Sequence, residues 1–188
     1  MQQIDTQVAI VGAGPSGLLL GQLLTRAGID NVIIEKVSSD HVLRRIRAGI
    51  LEQGFVNLAR QAGAADRLDA EGEVHDGFSI AQGNDIHRID LKTLTSGDSV
   101  VCYGQLEITR DLMGLRQAAT FYESEAVQVH EPLTDHPSVS FRHGGHEYRV
   151  SCAFVAGCDG FHGVSRQTIP QQKRNSLGTH AHRAEKKH

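Results

Sequence analysis

Cysteine is scarce in this chain: Cys102, Cys152 and Cys158 are the only ones among 188 residues. An odd number without paired metal-ligand spacing argues against a disulfide framework and suits a reducing cytoplasm. No apolar run reaches the roughly 20 residues of a membrane span. No signal peptide is expected ahead of the fold, because the first apolar strand opens almost at once, at Val8. A formal net charge of −3 gives no reason to expect nucleic acid or an anionic membrane as a partner. Repeats and long linkers are missing too. What is left is a soluble globular chain, 39% apolar, that suits one domain or one domain with an appended piece.

Against that background one segment stands out: Val8-Ala9-Ile10-Val11-Gly12-Ala13-Gly14-Pro15-Ser16-Gly17. An apolar strand runs into G-x-G-x-x-G, and a helical pattern follows over residues 16–27. After it, Val32-Ile33-Ile34 ends in Glu35. Strand, glycine turn, helix, strand and terminal acid form a dinucleotide-binding βαβ unit. Gly12 permits the tight turn out of the first strand. Gly14 has no side chain to keep a pyrophosphate from the backbone, and Gly17 lets the helix lie close to the sheet. The helix N-terminus, entered through Pro15 and Ser16, offers free amides and a partial positive charge to phosphate. Glu35 sits where a carboxylate accepts hydrogen bonds from ribose hydroxyls. A tight turn alone explains neither the glycine spacing nor the acid.

The coarse reading continues with an arginine-rich loop over residues 40–49 and a helix over 51–62 closed by Gly63. A hairpin is expected from residues 75–80 and 86–91, a strand over 100–103, and a helix capped by Thr109 that runs to about 119. Strands follow at 126–129, 139–142 and 147–150, with Gly144-Gly145 turning between the last two. Phe154-Val155-Ala156 is expected as a short buried strand ending at Gly157. His143 and His146 flank the Gly-Gly turn and read as a solvated hairpin tip rather than metal ligands, since a third ligand is not evident. Cys158 beside Asp159 reads as a packed residue, not a nucleophile.

Two more segments sharpen the reading: Arg45-Ile46-Arg47-Ala48-Gly49-Ile50-Leu51-Glu52-Gln53-Gly54 and Gly157-Cys158-Asp159-Gly160-Phe161-His162-Gly163-Val164-Ser165-Arg166. With Tyr103-Gly104-Gln105 and Thr109-Arg110-Asp111-Leu112, they closely resemble the FAD-dependent aromatic hydroxylases, nearly continuously from Thr6 to about Pro170. The resemblance implies an α/β, Rossmann-like FAD-binding fold with additional β-strands. Gly12, Gly14, Pro15, Ser16 and Gly17 would hold the FAD pyrophosphate, and Glu35 its adenosine ribose. Arg45, Ile46, Arg47, Ala48, Gly49 and Ile50 would wrap the cofactor, with Arg47 on the flavin side; Gln105 would also contact it. Asp159 would hydrogen-bond ribitol or backbone in a tight space. His162 and Arg166 would lie near NADPH, with Arg45 as another candidate. Lys36 and His41 occupy positions where NADPH-preferring members often carry arginine and tyrosine.

The implied reaction is hydroxylation of 4-hydroxybenzoate to 3,4-dihydroxybenzoate with NADPH and O2, in a cytoplasmic enzyme that is homodimeric at full length. No side chain here need act as a covalent nucleophile, so no catalytic residue is assigned. Family members are about twice this long, and their second half carries most of the aromatic-substrate pocket. The chain is therefore expected to be truncated before the substrate domain is complete. Residues 1–170 would form the FAD-binding domain, and 171–188, polar and histidine-rich, a disordered or out-of-frame tail. Other readings stay open: a hydroxylase of a different phenol, or a non-enzymatic remnant that binds nucleotide. An NAD-dependent dehydrogenase leaves the Arg-Ile-Arg-Ala-Gly and Cys-Asp-Gly-Phe-His-Gly segments unexplained.

Overall fold

The structure is a computed structural model that describes residues 1–45, 47 and 49–170. The expected cofactor contacts at Ile46 and Ala48, and the expected tail 171–188, lie outside the described residues. In chain order the first half contains β1 (Gln2–Asp5), β2 (Val8–Val11), α1 (Pro15–Arg26), β3 (Asn31–Ile34), α2 (Ser39–Arg44), β4 (Ile50–Glu52), α3 (Gln53–Ala62), α4 (Asp66–Glu71), β5 (Glu73–His75), β6 (Gly77–Gln82) and β7 (Asp85–Asp90). The second half contains α5 (Leu91–Leu94), β8 (Val100–Cys102), α6 (Gln105–Leu115), β9 (Thr120–Phe121), β10 (Glu125–His130), β11 (Ser138–His143), β12 (His146–Ser151), β13 (Phe154–Gly157) and α7 (Val164–Gln167).

The central sheet has the order β13-β2-β3-β9, and its strands are parallel. Every residue of β2 and β3 is buried, which is why both read as continuous apolar runs rather than as alternating patterns. Alternation still decides which layer each side chain meets. Ile10 and Ile33 face α1, α3, α4 and α6 through Leu18, Val56, Ala59, Leu68, Ile108 and Leu112. Ala9, Val11, Val32 and Ile34 face the other way, onto Val139, Phe141 and Val150 of a second sheet with the order β1-β12-β11-β10. The fold is thus a helical layer, a parallel sheet and a mixed sheet. A smaller sheet, β4-β8-β5, and the β6–β7 hairpin complete it. The register pairs Val11 with both Ile34 and Gly157, so three strands end side by side at one edge. The chain segments that follow those ends make the site.

The differences from the sequence reading have local causes. Residues 40–49 are not all loop: Ser38 Oγ accepts from the His41 amide at 3.2 Å and caps α2. The helix expected from residue 51 starts at Gln53, because Ile50–Glu52 pair with β8. His75 belongs to β5, which also pairs with β8, and the hairpin proper is β6–β7. Thr109 does not cap α6. The helix begins a turn earlier behind Gly104, and Thr109 Oγ1 donates back to the Gln105 carbonyl at 2.6 Å. Phe154 lies on the edge strand of the parallel sheet and is 70% exposed rather than buried. His143 is not simply solvated: its Nδ1 lies 2.8 Å from the Tyr122 carbonyl and its ring stands edge-on to Phe121.

Candidate functional site

The glycine loop occupies the gap between β2 and α1. Gly12 has φ +107°, and its amide donates to the Ile34 carbonyl at 2.8 Å. A Cβ there would lie 2.5 Å from the Cys158 carbonyl oxygen and 2.8 Å from the Asp159 nitrogen. Backbone conformation and close packing therefore both require glycine at this position. A Cβ on Gly17 would collide with the Gly12 carbonyl, so this glycine keeps the loop folded against its own helix. Gly14 differs from both. It caps α1 without a side-chain hydrogen bond, and a Cβ on it would meet no protein atom within 4 Å. Packing gives no reason for a glycine there. Pro15 at the first helical position brings no N–H, and the amides of Ser16 and Gly17 have no acceptor inside the helix.

Glu35 closes the unit. Its Oε2 accepts from the Ala13 amide at 2.7 Å and its Oε1 from the Val37 amide at 3.1 Å. Its backbone is fixed to the sheet as well: the amide donates to the Phe121 carbonyl at 2.8 Å and the carbonyl accepts from Ser124 N at 2.8 Å. An ionised carboxylate has about four acceptor sites, so both oxygens keep capacity for a ribose diol beside the loop. Lys36, next in the chain, is exposed.

The end of β13 forms the second wall. The Cys158 amide donates to the Val11 carbonyl at 2.7 Å, which brings the Asp-Gly segment against the glycine loop. Burial first, and the Asp159 carboxylate second, push the Cys158 thiol pKa up, which agrees with a packed, unreactive cysteine. Asp159 Oδ2 accepts from the Ser165 amide at 3.0 Å, and Gly163 leaves no room for a side chain beside that carboxylate. Of the two roles expected for Asp159, the one visible within the protein is the backbone bond. His162 and Arg166 are exposed and gather on Phe161: the His162 ring is edge-on to it, and the Arg166 guanidinium lies 4.1 Å above its centroid. A cavity of about 350 Å3 opens beside this segment, lined by Gly157, Asp159, Ser165 and Arg166.

The arginine-rich segment forms a separate group. Gly49 lies on the backbone of Tyr103 and Gly104, and its carbonyl accepts from the Tyr103 amide at 2.8 Å. Gln105 Nε2 reaches the Arg45 carbonyl at 3.5 Å. Arg45 and Arg47 are exposed, as is Ile50 on β4. The structure thus gathers Gly12, Gly14, Gly17, Glu35 and Asp159 in one place and Arg45, Gly49 and Gln105 in another. Both groups rest on one core, since Leu18 of α1 packs with Ile108 and Leu112 of α6. One structural residue had no sequence signal. Arg116 joins α6 to β3 and β9 by donating to Asn31 Oδ1 at 2.6 Å, to Thr120 Oγ1 at 3.2 Å and to the Ala119 carbonyl at 3.1 Å. Burial lowers its pKa.

A βαβ unit with an acid at the second strand end and an Asp-Gly wall defines a dinucleotide-binding domain of the flavoprotein kind. Residues 5–184 match the family described as FAD binding domain. The chain belongs to that family, and its relatives are FAD-dependent aromatic hydroxylases. It is 50% identical to the p-hydroxybenzoate hydroxylase of Acinetobacter baylyi, over 92% of this chain and 43% of that protein. A probable NADH-specific resorcinol 4-hydroxylase of Rhodococcus jostii is 25% identical over 85% of this chain and 32% of its own length. The crystal structure of p-nitrophenol 4-monooxygenase PnpA from Pseudomonas putida superposes with a TM-score of 0.74 at 20% identity, covering 90% of this chain and 44% of that one. The chain spans less than half the length of these relatives. Among the described residues no helix is long and apolar enough to cross a membrane.

Proposed function

We propose that this chain is the FAD-holding part of an NADPH-dependent hydroxylase of 4-hydroxybenzoate. The observation that carries the cofactor reading is Gly14: a glycine at a helix N-terminus, with open space where its side chain would stand, beside a carboxylate with acceptor capacity to spare. In this reading the amides of Ser16 and Gly17 receive the pyrophosphate, Glu35 the adenosine ribose, and the segment Arg45, Arg47, Gly49 and Ile50 with Gln105 encloses the rest. Bound FAD supplies the redox chemistry, taking a hydride from the reduced nicotinamide and activating O2. The residues of this chain bind and orient. Asp159 fixes the turn that walls the site, and the arginines neutralise phosphate without losing their charge.

The substrate reading rests on the half-identical relative, whose name says that it acts on p-hydroxybenzoate. The NADPH reading rests on cations that suit a 2′-phosphate, Lys36 beyond Glu35, Arg45 and Arg166, and on His162 beside Phe161 as a further hydrogen-bonding group. The cofactor is tested by titrating FAD into the chain and its Glu35→Ala variant with fluorescence quenching. Loss of the carboxylate is expected to cost on the order of 1–3 kcal/mol of binding, and equal affinities in two folded proteins would reject the assignment. For the nicotinamide, the full-length enzyme is expected to have a higher kcat/KM with NADPH than with NADH. Equal values, or the reverse order, reject that preference.

A further inference from the structure

Arg45 and Gly49, two of the residues expected to wrap the cofactor, meet the chain that follows β8. The Tyr103 amide donates to the Gly49 carbonyl at 2.8 Å. A Cβ on Gly49 would lie 2.6 Å from the Tyr103 oxygen and 2.7 Å from Gly104 Cα, so backbone rests on backbone. Gln105 Nε2 faces the Arg45 carbonyl at 3.5 Å. The backbone at Arg45 and at Gly49 therefore rests on residues 103–105.

Those residues are fixed in turn from the far side. The Tyr103 ring is buried, and its hydroxyl donates to Asp111 Oδ2 at 2.7 Å. The other oxygen of Asp111 accepts from Arg67 at 2.8 Å. Arg67 extends from α4 and also donates to Glu107 at 2.8 Å and to Glu71 at 3.1 Å and 3.2 Å. The chain of contacts Arg67–Asp111–Tyr103 thus ties α4 and α6 to the seat of the loop. Exposed ion pairs contribute little to stability. Here the guanidinium and phenol hold both oxygens of one carboxylate, which fixes an orientation rather than adding much energy.

We propose that Tyr103, Asp111 and Arg67 are positioning residues that set the backbone at Arg45 and at Gly49 and, through them, the affinity for FAD. The second part of this rests on the FAD reading; the first does not. Tyr103→Phe keeps the ring and removes the hydroxyl donor. In the full chain this variant is expected to bind FAD about fivefold more weakly. Without flavin, the amide of residue 103 is expected to exchange with solvent faster than in the parent, while amides of the parallel sheet such as Ile33 exchange at the parent rate. Asp69→Asn is the control. It breaks the Arg60–Asp69 pair between α3 and the same helix α4, a pair outside the Arg67–Asp111–Tyr103 chain, and is expected to alter neither readout.

An unchanged exchange rate at residue 103 overturns the proposal, whatever the flavin affinity. So does a uniform acceleration that includes Ile33, because that reports general destabilisation. Local acceleration with FAD affinity equal to the parent's overturns the link to the cofactor. Local acceleration in a protein whose parent form does not bind FAD at all supports the clamp and rejects the FAD reading.

Discussion

Gly14 caps α1 and Gly17 lies in its first turn, and the two are glycine for different reasons. At Gly17 the reason is the protein itself, since a methyl would strike the Gly12 carbonyl. At Gly14 nothing in the protein objects to a methyl. Gly17→Ala is therefore expected to destabilise the fold by about 1–3 kcal/mol. Gly14→Ala is expected to cost no more than about 1 kcal/mol, the ordinary cost of alanine at a helix cap, and yet to weaken FAD binding at least about tenfold. Urea unfolding beside flavin titration measures both. If Gly14→Ala binds FAD as the parent does, the pyrophosphate does not pass this helix end. The close packing at Gly12 and Gly17 was legible from spacing alone. Arg116 was not, because one arginine joining a helix to two strands leaves no pattern in sequence.

Among the elements, β2, β3 and α1 were legible because burial on both faces and a glycine turn leave strong signals. The boundary of α6 was misplaced because Thr109 resembles a cap, whereas Gly104 makes the turn and the threonine hydroxyl returns to its own helix. Strands β1 and β9 were missed. They are four and two residues long, and pairing with β12 and β3 defines them rather than any pattern of their own. The same packing logic ranks the elements by stability. Leu112→Ala, at the fully buried junction of α6 with α1, is expected to cost about 2–5 kcal/mol in urea unfolding. Ile86→Thr on the β6–β7 hairpin is expected to cost less than about 0.5 kcal/mol, because Ile86 is 75% exposed. A large loss at Ile86 would mean that the hairpin is covered in solution.

At the scale of the whole molecule, three carboxylates link stability to pH. Asp69, beside Arg60, has its pKa held below the usual carboxylate value; so does Asp90, which accepts from the Thr93 amide, and Glu107, beside Arg67. A depressed folded-state pKa gives stability that is present above the unfolded carboxylate range near pH 4 and lost as pH falls through the lower folded values. The urea midpoint is expected to hold between about pH 7 and 5 and to fall below about pH 4. A midpoint constant into that acid range contradicts the linkage.

The scale of the whole chain also explains where reading the sequence stopped. The FAD-binding layer order is encoded locally, in strands and a helix that follow one another. The grouping of Arg45 and Gly49 with Gln105 depends on β4 pairing with β8 across residues 50–102, and no local pattern announces that pairing. The fold is expected to hold FAD at the end of α1. The most direct measurement is a titration of the folded chain with FAD, and separately with NADH, followed by flavin fluorescence and near-UV circular dichroism. The expected result is saturable binding of FAD, tighter than that of NADH, and at least about tenfold weaker in Gly14→Ala without loss of fold. A folded parent chain that binds NADH more tightly than FAD, or does not bind FAD, contradicts it.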